Sequence, residues 1–129
     1  MEQESKLPEQ IKIEVETAWL PEQISKEQNK YAFSYHITIT NHAEVAVQLL
    51  NRYWLITDGN GKISEVAGPG VVGQTPVIQP GERFAYKSGA ILDTPVGFMQ
   101  GHYEFKSHDE QLFKTPIEVF TLSVPNSLN

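Results

Sequence analysis

Residues 31–41 read "YAFSYHITITN", from Tyr31 to Asn41, and the apolar side chains Tyr31, Phe33, Tyr35, Ile37 and Ile39 take every second place against Ala32, Ser34, His36, Thr38 and Thr40. Successive side chains of a β-strand point to opposite faces, so this spacing predicts a strand with one face in a core and the other in water. The same period extends upstream, where Ile11, Ile13, Val15, Thr17 and Trp19 alternate with Lys12, Glu14 and Glu16. Downstream, within residues 45–57, both parities become apolar after Leu49 ("LLNRYWLIT"). That predicts a central strand covered on both faces, or a bulge that flips the phase. Asp58-Gly59-Asn60-Gly61 closes this strand with Asp-Gly and Asn-Gly, the strongest short hairpin signals, and residues 62–67 return antiparallel. Pro80-Gly81 marks a turn into a strand through Phe84, Tyr86 and Ser88, and "DTPVG" breaks the chain near Pro95. A last hairpin joins residues 100–107 to residues 112–124 across "HDEQ". In its second arm the apolar parity moves from Ile117 and Val119 to Phe120, Leu122 and Val124, the mark of a bulge or bend.

No segment sustains apolar spacing at i, i+3, i+4 and i+7, so the expectation is an all-β chain of about seven or eight antiparallel strands, with one helical turn near residues 22–28. Seven short strands with turn signals between them, in 129 residues, point to an immunoglobulin or fibronectin type III-like β-sandwich, with a closed barrel as the alternative. The chain has no cysteine, so the Cys…Trp…Cys spacing of antibody domains is missing and the fibronectin-like version is favoured. Residues 1–10 are read as a flexible N-terminal segment, 11–124 as a single domain and 125–129 as a flexible tail.

Composition narrows the function. With 40% hydrophobic and 20% charged residues, the chain has the make-up of an ordinary soluble globular protein. No stretch approaches the length of a membrane span, and "MEQESKLPEQ" is acidic and polar where a signal peptide is basic and then apolar. A cytoplasmic location and no membrane partner are the expectations. The absence of cysteine removes disulfides, thiolate nucleophiles and cysteine-zinc sites. A formal charge of −6 with ten scattered Lys and Arg leaves no basic stripe to neutralise phosphates, so no nucleic-acid partner is expected.

"EVAGPGVVGQTP", residues 65–76, spells Gly68-x-Gly70-x-x-Gly73. A dinucleotide fingerprint works only where a strand turns into a helix whose N-terminus faces the pyrophosphate. Here Pro76 and then Pro80 interrupt any helix, so the glycines are read as permitting unusual backbone angles in a loop between strands. An anion-binding nest of backbone amides over Gly68, Gly70, Val71, Val72 and Gly73 remains as an alternative use of the same loop.

The stretch from Arg52 to Phe105 resembles the core of the ApaG family. The resemblance rests on Arg52 and Trp54, the hairpin after Asp58, Val66-x-Gly68-x-Gly70-Val71-Val72-Gly73, Gln74-x-Pro76, Pro80-Gly81-Glu82, Phe84-x-Tyr86-x-Ser88-Gly89, and Thr94-Pro95-x-Gly97-x-Met99-x-Gly101-x-Tyr103. "YAFSYHITITN" and "VQLLNRYW" extend it to residues 11–124. The sequence departs from the family at Asp109-Glu110, where the family often has Asp-Gly, and at Ile117-Glu118-Val119-Phe120, where it usually has Ile-Pro-x-Phe. The resemblance implies a fibronectin type III-like sandwich and no established enzymatic reaction. It also implies genetic links to cobalt tolerance, magnesium efflux and a diadenosine tetraphosphate hydrolase. Similar domains close eukaryotic F-box proteins and a polymerase-interacting protein, which implies a module that binds other proteins.

The residues themselves nominate no catalytic group, no metal site and no cofactor. His36, His42, His102 and His108 form no His-x-His or His-x-x-x-His pair. The Asp58–Gly61 turn lacks the length and terminal glutamate of a calcium loop, and Ser88 has neither an elbow motif nor a local base. Most aromatics share core parity and are read as packing. Trp54 opposes Tyr53 in parity, so one face displays an aromatic unless both are covered. Arg52 and Trp54 are therefore assigned to a partner surface, since Arg, Trp and Tyr are enriched among interface hot spots. A pair between Arg52 and an acidic neighbour across the sheet is the alternative. The functional expectation is a non-enzymatic module for an unidentified protein partner, with a role in divalent-cation homeostasis. The alternative is binding of a phosphate-type small molecule at the glycine loop.

Overall fold

The computed structural model describes residues 6–22 and 29–126. Among them, one helical turn, α1 (Leu7–Gln10), is followed by β1 (Ile11–Trp19), β2 (Tyr31–Asn41), β3 (Val47–Asp58), β4 (Ile63–Pro69), β5 (Val77–Ile78), β6 (Arg83–Leu92), β7 (Val96–Ser107) and β8 (Leu112–Ser123). Every pairing is antiparallel. β1, β2 and β6 make one sheet in that order; β4, β3, β7 and β8 make the other, with β5 also beside β3. Two antiparallel sheets with this connectivity form the fibronectin type III-like sandwich expected from the alternation.

β2 shows how the period becomes a core. It pairs with β1 from Ile11↔Asn41 to Trp19↔Phe33 and with β6 from Tyr31↔Leu92 to Thr40↔Arg83. Its odd-numbered side chains therefore meet the second sheet, and Phe33, Tyr35, Ile37 and Ile39 are buried. Each such burial contributes about 1.5–3 kcal/mol. Facing them are Trp54, Met99, Tyr103, Phe105, Ile117 and Leu122. Buried Asn41 ties the turn beyond β2 to β5: its Nδ2 donates to the Val45 and Ile78 carbonyls at 2.9 Å, and its Oδ1 accepts from the Ala43 amide at 2.8 Å. A buried amide so satisfied costs little and fixes the connection.

Two bulges sit where the sequence changed parity. The β3–β7 register shifts between Leu49 and Asn51, so Leu49 and Trp54 both reach the core despite opposite parity. In the β7–β8 pair, Met99 faces Phe120 but Gly101 faces Ile117, which sets Glu118 and Val119 opposite Gln100 alone. Val119, counted with the apolar run, is turned out to solvent there. Glu110, standing where the resemblance expects glycine, occupies the left-handed region at φ 66°.

Leu7–Gln10, inside the stretch read as a flexible terminus, form a helical turn instead: Leu7 packs against the core cluster, and the Thr115 hydroxyl donates to the Pro8 carbonyl at 3.4 Å. The helical turn expected near residues 22–28 lies, beyond Glu22, outside the described residues. No helix among the described residues is long and apolar enough to cross a membrane.

Candidate functional site

The glycine motif begins inside β4 and ends in a tight turn. Gly68 stands opposite Arg52 across the β3–β4 pair. A Cβ on it would come 3.3 Å from Arg52 Nη1, so the bare Cα gives the guanidinium room. Arg52 Nη1 donates to the Pro69 carbonyl at 3.1 Å and the Gly70 carbonyl at 3.0 Å. The Gly70 amide donates to the carbonyl of Leu50, the bulge residue, at 2.7 Å. The loop is thus held by β3 from both sides, through one side chain and one bulge carbonyl.

Beyond Gly70 the chain reverses in two residues. Val71 and Gln74 exchange amide-to-carbonyl bonds of 2.9 Å in each direction, and Val72 and Gly73 between them have φ of 42° and 79°. Two central residues at positive φ define a hairpin turn of the I′ kind, whose preferred residues are Asn and Gly. Gly70 is itself at φ 64°, and a Cβ there would lie 2.3 Å from the Gln74 carbonyl oxygen. No other residue fits. Val71 is fully buried and Val72 is 53% exposed, so the turn is anchored at one valine and displays the next.

This geometry limits the backbone nest expected over Gly68, Gly70, Val71, Val72 and Gly73. The Gly70 and Val71 amides are committed within the chain, and only those of Val72 and Gly73 are without a partner among the described residues. No helix follows the motif, in keeping with a loop between strands.

Arg52 and Trp54 separate. Both point inward from β3, but Trp54 is only 1% exposed and sits edge-on to Tyr35, Tyr103 and Phe120 at centroid distances of 5.4, 6.3 and 5.8 Å. Its assignment to a partner surface is corrected: it is the centre of the core, because the bulge at Leu50 brings its parity to the inside. Arg52 lies at the rim of that core. The acidic partner considered for it is replaced by the Pro69 and Gly70 carbonyls, and no carboxylate pairs with it among the described residues. The aromatic that β3 displays is Tyr53, which stacks on His102 at 5.1 Å and donates its hydroxyl to Glu65 Oε2 at 2.6 Å. That bond holds the Tyr53 phenol above its ordinary value.

One buried polar pair was not visible in the sequence. The Tyr86 and Tyr103 hydroxyls hydrogen-bond to each other from opposite sheets. Burial pushes both phenols up, with the nearby Arg52 charge pulling weakly the other way, so both are neutral. Parity identified each tyrosine as core; only the packing of the sheets makes them partners. The four histidines do not assemble: among the described residues no group of three or more His, Asp or Glu is placed to hold a metal ion.

A family profile described as the ApaG domain matches residues 21–107. The chain is 50% identical over 120 residues to Protein ApaG of Acidithiobacillus ferrooxidans, covering 93% of this chain and 94% of that one. Among solved structures, an X-ray structure from the Northeast Structural Genomics Consortium superposes with a TM-score of 0.91 at 47% identity, over 95% of this chain and 93% of that one. The crystal structure of the putative ApaA protein from Bordetella pertussis does so with a TM-score of 0.87 at 40% identity, over 91% and 95% of the two chains.

Proposed function

The chain belongs to the ApaG domain family, and from that premise we propose that it is a binding module for a protein partner, which it engages with the Val72 side chain at the tip of the glycine turn. The observation that carries this reading is the backbone of Val72. A β-branched residue at φ 42° is strained by about 1–3 kcal/mol, and asparagine would make the same turn with less strain. The side chain gains no burial in exchange, since more than half of it faces water. Strain kept at an exposed apolar atom group, on a turn clamped by Arg52, Gly70 and the Val71–Gln74 pair, is what a pre-organised contact residue requires.

Under this reading a role in cobalt and magnesium homeostasis is exerted in the cytoplasm through the partner, not through metal held on this chain. Non-enzymatic action follows the same logic. A phosphate-type small molecule would have the Val72 and Gly73 amides and the remaining N–H groups of Arg52 as donors, fewer than the motif suggests.

The test is a photoreactive residue placed in living cells at position 72 and, as control, at exposed Asn60 in the hairpin at the other end of β4. The expected result is a discrete protein adduct at 72 and none at 60. No adduct at 72, or the same adducts at both, overturns the reading. Amide shifts of Val72 and Gly73 on titration with pyrophosphate or ATP, in the absence of an adduct, would transfer the loop to the phosphate-type reading.

A further inference from the structure

At the sandwich edge away from the glycine turn, β1 and β8 leave an open groove of about 490 Å³ between the two sheets. Both are terminal strands of their sheets, but their free edges differ. β8 carries Pro116 and the bulge at Glu118–Val119, two devices that spoil an edge for further pairing. β1 has neither: it pairs with β2 without a register break over all nine residues, and no strand pairs with its other edge among the described residues. Its inward side chains Ile13 and Val15 are only partly covered, and they line the groove with Ile117 and Phe120 of β8. Its outward side chains include Lys12, Glu14 and Glu16.

We propose that this groove receives an extended segment of a partner protein whose apolar residues alternate with lysine or arginine, added as a strand on the free edge of β1. The alternation follows from the register. A strand laid on β1 places every second side chain beside Ile13 and Val15, over the apolar floor, and the others beside Glu14 and Glu16 on the outer face, where opposite charges across strands are favourable. The charge of the lining agrees. Lys12 lies 3.9 Å from Glu14 and His36 Nδ1 lies 3.9 Å from Glu16, both as exposed pairs open to exchange, and Glu9 and Glu118 at the groove have no cation partner among the described residues. The chain as a whole carries −6. The inference rests on the reading of this chain as a protein-binding module, but on none of the residues of the glycine turn.

The probe is a synthetic peptide alternating valine and lysine, titrated into the isotope-labelled full chain, with a valine–glutamate peptide as its counterpart. The expected result is amide shifts centred on residues 11–16 and 117–120, and binding of the lysine peptide about tenfold tighter than of the glutamate peptide. The exposed double substitution Glu14→Lys/Glu16→Lys reverses that preference without touching the core. Shifts centred elsewhere, no shifts at millimolar peptide, or equal binding of the two peptides overturns the proposal. Since the probe is synthetic and leaves Val72 untouched, its failure is separate from a failure of the crosslink at position 72.

Discussion

At position 70 the left-handed backbone and a carbonyl contact act together, whereas at position 73 the backbone acts alone. A methyl at Gly70 would meet the Gln74 carbonyl oxygen at 2.3 Å, while one at Gly73 would meet nothing within 4 Å. Gly70→Ala is therefore expected to lose at least about 2 kcal/mol of stability and Gly73→Ala about 1 kcal/mol. Urea denaturation of the two variants checks the order; equal losses would mean that φ alone matters at both. The same local view explains what parity could and could not tell about β3. Trp54 and Tyr53 were legible as residues of opposite faces, but which face is core depends on the single extra residue at Leu50, and a bulge moves the answer by one. Arg52 was legible as important and wrong in its partner, because its bonds go to backbone carbonyls, which a sequence does not mark.

Strands with strict alternation were legible almost to the residue: β2 runs from Tyr31 to Asn41 as spelled. β5 was missed because two residues, Val77–Ile78, carry no period. The ends of the elements are held by charge. Asp93, after β6, accepts hydrogen bonds from Lys30 ahead of β2 and from Lys62 of the β3–β4 hairpin, and these two bonds, with the lysine charges adding to them, hold its carboxyl below the ordinary carboxylate value. A carboxylate whose folded value is lowered contributes stability that is present above its unfolded value and is lost as pH falls through the folded one. Asp93→Asn should therefore lower Tm at neutral pH, with the gap to the unsubstituted protein closing as the solution is acidified below the ordinary carboxylate range. A gap that does not change with pH would show that the clamp is not electrostatic.

For the molecule as a whole, the sandwich was readable because burial on one face of each strand needs only period two. The contacts that join residues far apart in the chain were not: Arg52 with Pro69 and Gly70, Tyr86 with Tyr103, and β1 with β8. The sandwich supplies a packed frame, with the glycine turn on the β4 side and the β1–β8 groove at the other edge. A frame whose core does not need Val72 leaves its exposed tip open to a cost in stability in return for a contact, the trade common at binding surfaces. The most direct measurement compares Val72→Asn with the unsubstituted protein in one paired experiment: Tm, and recovery by affinity capture from cells of the partner that the crosslink at position 72 identifies. Relief of the turn should raise stability by about 1 kcal/mol while partner recovery falls by about tenfold, the equivalent of roughly 1.4 kcal/mol of binding. A variant that is more stable and recovers the partner undiminished would contradict the claim that Val72 is what the turn is built to present.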